Sequence, residues 1–333
     1  MWSAFLTSYI LTYALSKNII LENNTSTSMF HEQQIIFSAG FNISRILVPA
    51  DGNKYLQPDT SEIPSVFFTV VDPKLEGGSC IYVLEGFVSF EILEGGRDTT
   101  ADYSFDNTIY FGAKDGLYKY HPDSLSAKKY GLFRDDIIQL QKANGTDEIY
   151  ILTADNKIYK IERNGTVKTR ISDVVCATEF VLDTSNNLYY VSCDLKMLNI
   201  VRRDGAVINL ANSILIEVKD LVLLRPAFVM EESIPILGDG FLYIVNSNGS
   251  CDKKDFYIND KPSALSIDTA LYVVAALKGK IYEFNVMDVL LRSMFGVSSE
   301  WPRDITKIIM LIIENTRDGL FEFYRNLSKP DDI

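Results

Sequence analysis

Apolar and polar positions in this chain fall into short runs that come in pairs. TIYFGAKDGLYKY (108–120), EIYILTADNKIYKIERNG (148–165), NLYYVSCDLKMLNIVRRDG (187–205), SIPILGDGFLYIVNSNG (233–249) and ALYVVAALKGKIYEFN (270–285) are variants of one unit. Each reads as a short apolar strand, a tight turn and a second apolar strand. The equivalent positions Tyr110, Tyr150, Tyr189, Pro235 and Tyr272 recur about every 40 residues, the repeat length of a four-stranded propeller blade.

The same pattern extends in both directions. PSVFFTVVD (64–72), the turn region EGGS (76–79) and CIYVLEGFVSFEIL (80–93) form an earlier, expanded unit. KIIMLIIENTRDGLFEFY (307–324) forms a later, degenerate one. Two series of turns punctuate the units. Asp115-Gly116 and Asp318-Gly319 close inner hairpins, while Asn164-Gly165, Asp204-Gly205 and Asn248-Gly249 follow the second strand and lead to outer strands such as 166–171 and 206–210. Asp-Gly and Asn-Gly supply the positive φ angles that tight hairpins need. The pattern therefore predicts an all-β propeller of four-stranded antiparallel blades, with seven repeats counted and six blades as the alternative. Strands within 33–50 are candidates to close the ring. The domain reading is a signal peptide over 1–16, an N-terminal segment over 17–60 with that ring-closing strand, and the propeller over 61–333.

Compartment enters through the N-terminus. Residues 1–16 carry no charged side chain and end in small residues, with Ala14 and Ser16 at the positions a signal peptidase favours. Seven N-x-[ST] sequons, at Asn23, Asn24, Asn42, Asn144, Asn164, Asn248 and Asn326, fit a secreted glycoprotein. Four cysteines form an even set. Cys176 and Cys193 flank the hairpin CATEFVLDTSNNLYYVSC at equal distances from its turn, which places them opposite each other across an antiparallel pair and predicts a disulfide. Cys80 and Cys251 lie in non-adjacent units, where a bridge is doubtful.

Charge narrows the partners. A formal net charge of −12 argues against nucleic acid and against an anionic membrane surface. Catalytic chemistry finds little support. His31 and His121 have no Cys or His at ligand spacing, no G-x-S-x-G elbow occurs, and EGGS and EGGR are turns rather than phosphate loops. No cofactor, metal site or catalytic residue is assigned. What stands out is 19 Phe and 18 Tyr. Most tyrosines suit blade packing; some are candidates to line a pocket for a flat conjugated ligand.

IYFGAKDGLYKY with its following outer strand, preceded by SVFFTVVD and EILEGGRDTTADYSFDNTIYFG, resembles the insect ommochrome-binding proteins of moth haemolymph. The resemblance implies a secreted carrier for tryptophan-derived phenoxazinone pigments. It transfers no ligand residues. Two other classes stay in view. A lactonase-type hydrolase with a central calcium needs axial carboxylates and an Asn, for which Glu179, Asp183 and Asn187 are candidates. An extracellular protein-interaction propeller would use a rim or face.

Overall fold

The paired apolar runs become paired strands. The structure, a computed structural model, describes residues 32–49, 63–75, 77–102, 107–194, 197–210, 214–225, 232–257, 260–267 and 272–285. The signal segment 1–16, Asn23, Asn24, His31, the unit 307–324 and Asn326 lie outside the described residues.

The chain opens with β1 (Ile35–Ser38). Blade 1 follows as β2 (Asn42–Leu47), β3 (Ser65–Val71), β4 (Ser79–Glu85) and β5 (Val88–Glu94). Blade 2 is β6 (Gly96–Ala101), β7 (Ile109–Ala113), β8 (Gly116–His121) and β9 (Ser126–Lys129). Blade 3 is β10 (Ile137–Lys142), β11 (Ile149–Thr153), β12 (Ile158–Glu162) and β13 (Val167–Arg170). Blade 4 is β14 (Ala177–Leu182), β15 (Leu188–Ser192), β16 (Leu198–Val201) and β17 (Val207–Asn209). Blade 5 is β18 (Leu221–Leu223), β19 (Ser233–Gly238), β20 (Phe241–Asn246) and β21 (Cys251–Tyr257). Blade 6 is β22 (Ala264–Ile267), β23 (Tyr272–Leu277) and β24 (Lys280–Asn285), completed by β1 on its outer edge. Each sheet has four strands.

Among the described residues the propeller has six blades, the alternative count. The six hairpins from 65 to 285 supply the paired central strands of the six sheets. Closure comes from β1, which pairs antiparallel with β24 through Ile35↔Tyr282 and Ser38↔Lys280. The strand from the 33–50 stretch closes the blade that ends at 285. Tyr110, Tyr150, Tyr189, Pro235 and Tyr272 all fall on the second strand of their sheets.

Apolar clusters sit between neighbouring blades. Leu47, Phe67, Ile81 and Phe111 join blades 1 and 2. Tyr110, Ile137, Leu140 and Ile151 join blades 2 and 3. Leu152, Phe180 and Tyr190 join blades 3 and 4, and Tyr189, Ile200, Ile234 and Tyr243 join blades 4 and 5. Ile36, Ile43, Phe68, Val274 and Ile281 join blade 6 to blade 1. Among the described residues, Leu224 and Leu237 are buried between blades 5 and 6, with Val222, Leu242 and Leu265 half-buried against them.

The turns obey their sequence signals. Asn164 and Gly165, between β12 and β13, adopt φ of 55° and 79°. Gly165 meets a second demand: a Cβ there would come within 2.5 Å of the Gly131 Cα. The Leu132 N–H donates to the Gly165 carbonyl at 3.0 Å, so the loop joining blades 2 and 3 lies directly on this turn.

The disulfide forms as expected. Cys176 and Cys193 flank the pair Ala177↔Ser192 of β14 and β15, and their Cα atoms are 5.6 Å apart. Cys80 is a buried free thiol and Cys251 a half-buried one. Burial, reinforced by the Glu91 carboxylate, pushes the Cys80 thiol up to about 12; burial pushes Cys251 up to about 11. Neither has the thiolate character that reactivity requires.

Candidate functional site at the propeller axis

The innermost strand of each blade is an edge strand, with backbone N–H and C=O groups that its own sheet leaves unpaired. Side chains from the preceding blade satisfy many of them. The Asp98 Oδ2 accepts the Leu140 N–H at 2.9 Å, and the Thr100 Oγ1 accepts the Lys142 N–H at 3.0 Å. The Gln139 amide donates to the Phe180 carbonyl at 2.7 Å and accepts the Phe180 N–H at 3.0 Å. The Gln141 amide repeats the arrangement on Leu182. Partners are 41 or 42 residues apart, one blade. At the closing seam the Ser263 hydroxyl donates to the Ile43 carbonyl at 2.6 Å.

Four inner strands share a further device. The register slips by one residue between Ile43 and Arg45, Gly96 and Asp98, Ile137 and Gln139, and Ala177 and Glu179. Such a bulge re-aims the side chain that follows it. The four residues after the slips are polar, and three of them converge: Arg45 lies 3.9 Å from Asp98 and 4.0 Å from Glu179. Arg225, just beyond β18, reaches across from blade 5. Its guanidinium donates to the Asp98 Oδ2 at 2.7 Å, to the Leu140 carbonyl at 2.8 Å and to the Thr99 carbonyl. Two guanidinium groups and two carboxylates therefore alternate around the axis. Burial raises the Glu179 carboxyl above the ordinary carboxylate range, against the opposing pull of Arg45 and a hydrogen bond with the Leu223 backbone.

Above this cluster opens a small cavity of about 60 Å³, or about 620 Å³ if the open solvent at its mouth is included. Its floor carries Arg45, Gln139 and Arg225. Its apolar lining, Val222, Leu224, Leu237 and Leu265, belongs to the cluster between blades 5 and 6, and Phe180 adds an aromatic ring. Lys261 and Ser263 sit at the rim, where the Lys261 ammonium pairs with Asp220 at 2.5 Å.

The candidates drawn from the sequence divide. Glu179 is axial, as the hydrolase reading asks. Asp183 and Asn187 are not with it: they build the β14–β15 turn. The Asp183 carboxylate accepts the Ser185 N–H at 3.0 Å, the Asn187 N–H at 2.9 Å and the Asn187 side-chain amide at 2.8 Å. Among the described residues no three His, Cys, Asp or Glu side chains gather to hold a metal ion. Among them, too, no tyrosine lines the cavity. Tyrosines pack between strands and blades instead, as where Phe67 meets Tyr120 at 5.0 Å and Tyr110 meets Tyr130 at 5.0 Å. His121 ends β8, half-buried. Asn42, Asn144, Asn164 and Asn248 are all exposed. Sequence reasoning misses Arg45 and Arg225. A polar residue does recur about one blade apart at Asp98, Gln139 and Glu179, but that spacing reaches neither arginine.

Fold and site together define a six-bladed propeller with a charged, partly apolar axial pocket. No family model and no curated protein matches the chain. Among solved structures it is similar to virginiamycin B lyase from Staphylococcus aureus, at 12% identity and a TM-score of 0.48 over 72% of this chain and 79% of that one. It is also similar to the WD40 β-propeller domain of Doa1, at 9% identity and a TM-score of 0.47 over 75% of this chain and 96% of that one. A third is hydrazine synthase from Kuenenia stuttgartiensis, at 12% identity and a TM-score of 0.48 over 87% of each chain. At these identities the likeness concerns the fold alone.

Proposed function

We propose that the protein is a secreted, non-enzymatic carrier of a small aromatic ligand, an ommochrome-like pigment or a related metabolite, bound in the axial pocket. The observation that carries this reading is the pocket itself. Binding sites for small molecules are concave and combine apolar walls with a few convergent polar groups. Here the apolar side chains Phe180, Val222 and Leu265 line one part of the pocket and suit a ring system, and Arg45 suits its polar edge. The Cys176–Cys193 bridge and the exposed sequons support an oxidising, extracellular setting. The resemblance over residues 60–170 supplies the pigment class.

The arrangement is poorly suited to a calcium-dependent hydrolase. Arg45 and Arg225 lie beside the axial carboxylates, where a divalent cation would have to sit. A protein-interaction role has one observation in its favour: Phe87, Val88 and Phe90, around the β4–β5 turn, are exposed, with Phe87 78% accessible.

The test is mass spectrometry of small molecules released from protein purified from its native fluid, together with visible absorbance. A bound aromatic chromophore is the expected result. Recovery of none, with no binding when a phenoxazinone is added, removes the carrier reading.

A further inference from the structure

We propose that the axial pocket selects ligands that carry a single carboxylate, with Arg45 as the residue that receives it. The inference rests on the reading of the pocket as a ligand site. It follows from which lining groups are already committed. Both ends of the Gln139 amide are bound to Phe180. The Arg225 guanidinium is consumed by Asp98, Thr99 and Leu140. The Ser263 hydroxyl serves Ile43, and Lys261 is paired with Asp220.

Arg45 differs. Its approaches to Asp98 and Glu179, at 3.9 and 4.0 Å, are beyond hydrogen-bond distance. Its side chain is 37% exposed and faces the cavity. The buried Asp98 Oδ1, its nearest acceptor, has no hydrogen-bond partner among the described residues. Among the described residues, then, the Arg45 guanidinium has two ion-pair neighbours but no hydrogen bond to them, and its fork of donors at the pocket matches a carboxylate in plane and spacing.

The number of charges follows from the neighbours. Asp98 and Glu179 stand behind Arg45 and oppose a second negative charge, so a dianionic group such as phosphate is disfavoured. Because burial holds the Glu179 proton more tightly, that opposition weakens as pH falls. Phe180, Val222, Leu224 and Leu265 line the rest of the pocket and favour an apolar remainder of the ligand.

The experiment measures binding of a phenoxazinone carboxylate and its matching carboxamide to the wild-type protein, to Arg45→Gln and to Arg45→Lys. Circular dichroism establishes that each variant is folded. The carboxylate is expected to bind at least about tenfold more tightly than the carboxamide, in keeping with a charge-assisted hydrogen bond. Arg45→Gln should erase that difference by weakening the carboxylate alone, and Arg45→Lys should restore part of it. Equal binding of the two probes to the wild type, or a preference unchanged in Arg45→Gln, overturns the carboxylate assignment and leaves the aromatic pocket standing. Failure of both probes to bind at millimolar concentration overturns both.

Discussion

Glu179 is a carboxylate held where its charge is unwelcome. Burial is the largest influence on it and favours the protonated form, while Arg45 and the Leu223 backbone oppose this only in part. A carboxyl whose folded-state pKa is raised binds its proton more tightly folded than unfolded. It contributes stability below its ordinary range, near about 4.3, and loses that contribution as pH rises through the raised value. In urea unfolding of the wild type and Glu179→Gln at a series of pH values, the stability of the wild type relative to the variant should therefore rise as pH falls. A difference independent of pH would show that Glu179 is not desolvated. Glu179 is legible in the sequence as an inward carboxylate because it stands in an apolar strand next to a recognisable hairpin. Arg45 is not, since a lone Arg in RILVPA reads as an ordinary edge position. The one-residue register slip that turns it to the axis leaves no trace in alternation. Nearness in sequence groups Asp183 and Asn187 with Glu179, but turn hydrogen bonds claim their short side chains, a local demand that outcompetes a distant one.

At the level of elements, strand pairs and their turns are the most readable part of the molecule. Asp-Gly and Asn-Gly mark both series of turns, and the symmetry of Cys176 and Cys193 about the hairpin turn gives their pairing from spacing alone. The bridge closes a span of 17 residues, for which chain-entropy arguments suggest about 3 kcal/mol. Replacing both cysteines by serine should lower unfolding free energy by about 2–4 kcal/mol in denaturant titration. Loss of less than about 1 kcal/mol would mean that the hairpin is already ordered in the unfolded chain. What the elements hide is the mating of inner strands. Gln139 and Gln141 look like the polar half of an alternating strand. In the structure each is a side-chain substitute for a missing strand, pairing with the backbone of blade 4.

For the whole molecule, repeat counting locates every hairpin of the described ring and leaves two blade counts open, of which the ring has six. Whether a unit belongs to the ring depends on which strand completes the last blade. That partner, β1, lies far away in sequence and resembles any other short apolar run. Its anchor is Ile36, 6% exposed within the cluster that joins blades 6 and 1. Ile36→Ala should cost about 2–4 kcal/mol, as buried large-to-small substitutions do. Native-state hydrogen exchange should show β24 losing protection ahead of β11 and β12. Uniform loss across all blades would indicate a ring that opens only as a unit. The pairing of Ser38 with Lys280 also has a consequence in time. A ribosome releases β1 early and its partner only after the five intervening blades, so the first strand must wait, unpaired, while they are made. Closing so long a loop is slow. Until it closes, the seam exposes the open edge of β24 and the apolar faces of blades 1 and 6. In the cell this is the interval in which the nascent chain most needs a chaperone.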